Sequence, residues 1–361
     1  MTGRQSPAGE RPEQTVAGLG EVGILRVMNR RFRAVPAARH WPEGTLGPGD
    51  DAAVVPAPDG RFVISTDAMA QDRDFRLDWP SGVRDSGYST GWKAAAQNLS
   101  DLNAMGAQAS GLLLALTMPD HTQVAWLDRC AAGIVGAITA LGADGCRIVG
   151  GDLGGDDRIT ICVTVTGDLD GRPAVSREVS AADRDSVGPD GLDLILCGRA
   201  GWAAAGLAVL QTPRAELLSA LDRSGGHRLA ALAVAAQLRP RPVLSAGRRA
   251  AEAGALAMMD VSDGLLRDTG RLGSVNGLVP VLDPEWVDHE AVALAPLAEV
   301  LGVDARDWVR AGGEDYGLLA VMPPQVALPP GFRRVGRLLP PEPGHPAAGR
   351  AAETGWDHFG G

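Results

Sequence analysis

A chain of 361 residues with 45% hydrophobic content is long enough for two hydrophobic cores, and its formal charge of −10 argues against a nucleic-acid surface, which needs a basic stripe. No run approaches the roughly 18 apolar residues of a membrane helix, and the opening segment, with Pro7, Gly9 and Pro12, lacks the apolar centre of a signal peptide. Cys130, Cys146, Cys162 and Cys197 are widely spaced in apolar runs, which points to buried free thiols in a reducing, cytoplasmic setting.

Residues 1–16 read as a disordered tail. An apolar face of Ile24, Leu25, Val27, Met28 and Phe32 predicts a helix over 20–32. Gly47-Pro48-Gly49 then breaks the chain, and two short strands are expected over 52–55 and 62–66, either side of the turn Pro58-Asp59-Gly60. A long helix over 85–105 stops at Gly106. A strand over 109–117, a helix over 123–141 and strands over 146–149 and 159–166 complete a first α/β unit, residues 17–168. The glycines and prolines of 169–191 mark a connection. A second unit, residues 192–361, opens on a strand over 193–197. The pattern predicts an α/β (α+β) fold in two lobes.

The chemistry is carried by acids beside glycine or hydroxyl residues, mostly at predicted strand ends. They are Asp50-Asp51, Ser65-Thr66-Asp67, Gly150-Gly151-Asp152, Asp260-Val261-Ser262-Asp263-Gly264 and Gly312-Gly313-Glu314-Asp315; Asn98 and Asp101 share a helix face with Ala94 and Met105. Any one of these is an ordinary cap or turn. Their recurrence with hardly any Lys or Arg beside them demands cations, because two carboxylates 4 Å apart repel by about 4 kcal/mol at an effective dielectric near 20. Oxygen donors without histidine select Mg²⁺, Mn²⁺ or Ca²⁺, and Mg²⁺ usually completes its shell with water and substrate phosphates. Phosphoryl transfer is the expected chemistry. No G-x-x-x-x-G-K-[ST] loop and no protein-kinase motif set occurs, so metals and glycine-flanked backbone would have to hold a nucleotide.

As an ordered set, GPGDDAAVV (47–55), STDAMAQDRDFRLDW (65–79), KAAAQNLSDLNAMGA (93–107), GGDLGGDDR (150–158), MDVSDGLLRD (259–268), AGGEDYGLL (311–319) and GWDHF (355–359) resemble the thiamine-monophosphate kinase family. The likeness spans nearly the whole chain. It implies a two-domain fold like that of aminoimidazole ribonucleotide synthetase, with the N-terminal sheet forming a homodimer interface. It implies ATP and thiamine monophosphate as substrates and several Mg²⁺ per site. Asp51, Ser65, Thr66, Asp67, Asp101, Asp152, Asp260 and Asp263 would be metal ligands. Gly151, Asp152, Ser262 and an arginine of the connection, Arg177 or Arg184, would hold ATP. Asp74, Glu314 and Trp356 would face the substrate. The resemblance leaves room for a relative with another small phosphoacceptor, or for a non-catalytic ATP-binding scaffold. The chain departs from the family pattern at Asp72 and Asp74 (for glycine and histidine), at Leu153-Gly154, at Trp202 and at Gly317. Asp74 is expected to turn outward and pair with Arg73 or Arg76. Lys93 reads equally as a phosphate contact or as a snorkelling surface lysine.

Overall fold

The computed structural model describes residues 14–42, 45 and 52–341. Helix α1 (Val16–Phe32) begins earlier than the apolar face suggests: Thr15 caps it by accepting the Gly18 amide at 3.2 Å, and Gly20 kinks it with φ 70°. Val16 is buried, so the expected tail is too long at its C-terminal end; residues 1–13 lie outside the described residues. The chain over 52–55 forms no strand and carries only a bridge residue at Val54.

Four strands make the first sheet: β1 (Val63–Ala70), β2 (Gln108–Met118), β3 (Arg147–Gly155) and β4 (Thr160–Asp168), in the order β1-β4-β2-β3. β1 and β2 run antiparallel to β4, and β3 runs parallel to β2. The alternation along β2 is that of a sheet with one covered face: Leu112, Leu114, Leu116 and Met118 are buried while Leu113 and Ala115 are exposed. The covered face packs on α2 (Tyr88–Ala104), with α3 (Val124–Ala140) and α1 beyond it. α2 starts later than predicted because Asp85 is spent on the turn before it, accepting the Gly87 amide and the Thr90 hydroxyl. β3 runs past its predicted end through Gly150-Gly151-Asp152, because these residues pair with Leu113, Leu114 and Ala115. At Gly151 a Cβ would stand 2.0 Å from the Leu114 carbonyl oxygen, so only glycine permits that pairing.

After the connection and a short helix α4 (Ala181–Asp185), the second sheet is formed by β5 (Leu192–Cys197), β6 (Ala257–Asp260), β7 (Val279–Leu282), β8 (Leu318–Met322) and β9 (Phe332–Leu339), in the order β6-β8-β5-β9-β7, antiparallel throughout. Leu194, Leu196, Met259, Leu319 and Val321 face one cluster, into which α5 (Trp202–Gln211), α6 (Arg214–Ser224), α7 (His227–Leu238), α9 (Leu265–Asn276), α10 (Pro284–Val292), α11 (Ala295–Leu301) and α12 (Ala305–Ala311) pack. Ile195, Met258, Leu318 and Ala320 face another, closed by α8 (Ala246–Glu252) and by Ala104 at the end of α2. α2 therefore belongs to both lobes. Only Tyr88, Ser89 and Asp101 of its 17 residues are not buried, and the Asn103 side chain accepts the Gly247 amide at 2.7 Å across the junction.

Candidate active site

Residues of both lobes line a cleft of about 900 Å³. Strand alternation decides what β1 contributes. Ser65 and Asp67 point towards α2, while Thr66 points the other way and bonds Thr164 at 2.9 Å. Across the cleft wall the Ser65 hydroxyl donates to Asp101 at 2.6 Å, and the buried Asn98 accepts the Asp67 amide at 3.0 Å. Gln97 and Asp101, four residues apart, line the cleft from α2, and the buried Lys93 lies one step along the same stripe.

The second lobe supplies two turns that nest together. β6 ends at Asp260, and Val261-Ser262-Asp263-Gly264 leads into α9; its neighbour β8 begins just after Glu314-Asp315-Tyr316. The Ser262 carbonyl accepts the Glu314 amide at 2.8 Å, and the Val261 amide and carbonyl are paired with Gly317 and Tyr316. A Cβ on Gly313 would meet the Ser262 carbonyl oxygen at 2.3 Å, so the double glycine lets one turn lie on the other. Glu314 and Tyr316 then adopt positive φ values of 66° and 52°. The buried Asp268 accepts both the Ser262 and Asp263 amides at 3.0 Å, and Arg271 bridges Asp263 (2.6 Å) and Asp268 (2.8 Å). Asp315 closes the other side, accepting the Gly201 and Ala203 amides at the start of α5 at 2.6 and 2.9 Å.

These acids feel their enclosure. Burial, reinforced by the like charge of Asp101, pushes the Asp260 carboxyl up to about 7. Burial also raises Asp101, which the Ser65 hydrogen bond and the nearby Arg177 oppose. Asp315 is pushed to about 7 and Asp268 to about 6, again chiefly by burial. An oxygen-only donor set that resists ionisation for want of positive charge suits a hard divalent cation such as Mg²⁺. Among the described residues no three of the His, Cys, Asp and Glu side chains enclose one ion by themselves.

Of the sequence candidates, Ser65, Asp67, Asp74, Asp101, Arg177, Asp260, Ser262, Asp263 and Glu314 line the cleft. Arg177 is held there by its own chain segment, where Asn276 bonds the Arg177 carbonyl at 3.0 Å and the Val179 amide at 2.7 Å. Arg184 instead pairs with Glu178 at 3.2 Å. Thr66, Gly151 and Asp152 are not brought into the cleft of their own chain. Asp152 stands opposite the exposed Ala115 on the uncovered face of β3, with two strands between it and β1. Asp51 and Trp356 lie outside the described residues.

Two expectations are corrected. Asp74 lines the cleft, yet among the described residues it pairs with neither Arg73 nor Arg76; its carboxylate accepts the Ala70 amide at 2.7 Å and closes its own turn. Arg76 lies over the Trp79 ring instead, 5.8 Å from the centroid. Lys93 does not snorkel: its side chain is 4% exposed and its ammonium meets Glu314 at 2.5 Å. Gln237 was absent from the sequence reading, and it donates to the other Glu314 oxygen at 2.6 Å. The successive four-residue spacing of Lys93, Gln97 and Asp101 could have revealed the stripe; nothing local marks Gln237.

Residues 49–169 match the family described as AIR synthase related protein, N-terminal domain. The chain is 38% identical over 325 residues to thiamine-monophosphate kinase of Mycobacterium tuberculosis (strain CDC 1551 / Oshkosh), covering 90% of this chain and 86% of that one. It is 33% identical over 342 residues to thiamine-monophosphate kinase of Corynebacterium glutamicum, covering 92% and 90%. Its fold is similar to that of AaThiL complexed with AMPPCP and TMP, with a TM-score of 0.62 at 22% identity over 98% of this chain and 100% of that one. The chain belongs to the thiamine-monophosphate kinase family.

Proposed function

We propose that the protein transfers the γ-phosphoryl group of ATP to thiamine monophosphate, giving thiamine diphosphate and ADP. The observation that carries this reading is the convergence of Ser65, Asp67 and Asp101 from one lobe with Asp260, Ser262 and Asp263 from the other on one cleft. Asp67, Asp101, Asp260 and Asp263 would hold Mg²⁺, with Ser65 beside them, and the bound ions would screen the ATP polyphosphate from the acceptor phosphate. Arg177 adds fixed positive charge at the same end. Asp263 can ligate only by sharing its carboxylate with Arg271 or leaving it. No general base is required, because a phosphate monoester with a second pKa near 6 is already anionic at neutral pH. The cleft then contributes positioning and charge, which is most of what phosphoryl transfer asks of a protein. Glu314 lines the same cleft and suits the acceptor.

The same reading makes the protein a cytoplasmic homodimer. Ile64 is 60% exposed and Leu113 37% exposed on the uncovered face of the first sheet, an apolar surface that a second copy would cover. Thr66 and Asp152 share that face, so a role for them at a polyphosphate would require the paired molecule. Leu113→Asp should give a monomer by sedimentation.

The deciding assay is purified protein with ATP, Mg²⁺ and thiamine monophosphate, the products separated by chromatography. Equal amounts of ADP and thiamine diphosphate are expected. Thiamine diphosphate formed undiminished in excess EDTA would remove the metal from the mechanism. ADP without thiamine diphosphate would point to another phosphoacceptor.

A further inference from the structure

Lys93 sits in the middle of α2, a helix with apolar or small neighbours at Trp92, Ala94, Ala95 and Ala96. Burying an ammonium there is unfavourable unless it is paired and hydrogen-bonded. It contacts two cleft-lining segments far apart in sequence. The ammonium meets the Glu314 carboxylate at 2.5 Å and donates to the Asp74 carbonyl at 3.1 Å. It thus ties the loop carrying Asp74 to the turn carrying Glu314.

The geometry points to Lys93 as a positioning residue for the phosphoacceptor. Lys93 takes one Glu314 oxygen and Gln237 takes the other. A carboxylate has about four acceptor positions, so two hydrogen bonds fix its plane and leave lone pairs for a donor in the cleft. The Glu314 side chain is 31% exposed, which gives that donor access. The positive φ of Glu314 holds its backbone, and these two contacts hold its carboxylate. An acceptor carrying an amino group or a cationic ring would meet an oriented anion rather than a swinging one. Lys93 acts through Glu314, and it lies on the same helix stripe as Asp101 without being needed at the metal-binding end.

This inference rests on the reading of Glu314 as an acceptor contact, and the test separates the two. Lys93→Met keeps the helix and the packing volume while removing both contacts. KM for thiamine monophosphate should rise about tenfold, equivalent to about 1.4 kcal/mol, with KM for ATP within about twofold. In a Glu314→Gln background the same substitution should add less than about twofold. A variant whose two KM values stay at wild type while kcat falls would show a merely structural lysine and overturn the inference. Full additivity with Glu314→Gln would overturn it as well. If Lys93→Met does not fold, Lys93→Gln, uncharged and one bond too short to span both contacts, carries the same KM comparison. A wild-type protein that forms no thiamine diphosphate would instead sink the proposed function.

Discussion

Asp101 is the acid that α2 turns towards the cleft, and Asp67 reaches the same space from β1. Their removal should separate metal chemistry from folding. Asp101→Asn can still accept the Ser65 hydrogen bond while losing the charge that pushes against Asp260. We expect turnover to vanish for both Asp101→Asn and Asp67→Asn, with the metal-free melting temperature of Asp101→Asn equal to or above wild type. The stabilisation on adding Mg²⁺ and nucleotide should shrink in both. Near-normal activity in either variant would mean that the metal ligands are misassigned. Asp74 makes a contrasting case. Its carboxylate is engaged with the Ala70 amide, so Asp74→Ala should lower stability by about 1 kcal/mol, the worth of one local hydrogen bond. KM for thiamine monophosphate should move by less than about threefold, roughly 0.6 kcal/mol. A tenfold fall would show that the carboxylate repels the acceptor phosphate, and a tenfold rise that it binds the acceptor.

Among elements, the two nested turns matter most. Gly313→Ala forces a Cβ into the space of the Ser262 carbonyl oxygen, 2.3 Å away, and must part the turns or distort them. Overpacking of this kind costs about 1–3 kcal/mol, and because both turns carry cleft residues, kcat should fall with stability. Activity retained at full stability would show that the nesting is not needed for the chemistry. The turns also show what the sequence could and could not disclose. Each motif was legible as glycine next to acid, and β1, α2, β2 and β4 were legible from periodicity within a few residues. The end of β3 was not, because Gly150-Gly151 reads locally as a loop and becomes strand only through the partner at Leu114. The outward face of Thr66 and Asp152 followed from sheet order, which no local pattern encodes. Asp74 was misread because a backbone amide four residues earlier outcompeted the flanking arginines. The burial of Lys93 came from the second lobe closing over α2.

For the molecule as a whole, the buried acids set a pH dependence. Asp260 and Asp315 hold their protons to about 7 in the fold, against an ordinary value of 3.8. In the unfolded chain they ionise first, so the folded state binds more protons between those limits, and stability falls as pH rises through that window before levelling off. The metal-free protein should therefore melt several degrees lower at pH 7.5 than at pH 5.5. Asp260→Asn should flatten part of that slope; an unchanged slope would place the titration elsewhere.

The strand order of the second sheet has a consequence for the protein's manufacture. β6 pairs only with β8, β7 only with β9, and β5 lies between β8 and β9. Among the described residues, no strand of that sheet meets its native neighbour until β8 has left the ribosome. The first sheet is complete at Asp168, whereas β8 begins at Leu318. β5 ends at Cys197 and β7 at Leu282, so at ~5–20 residues per second β5 waits roughly 6–24 s for β8, and all three unmatched strands coexist for roughly 2–7 s. Over that interval the helices that follow β5 can form, but the acidic turns stay apart. A chain stopped just before β8 should accordingly show a protease-resistant first lobe, an open second one and no nucleotide binding.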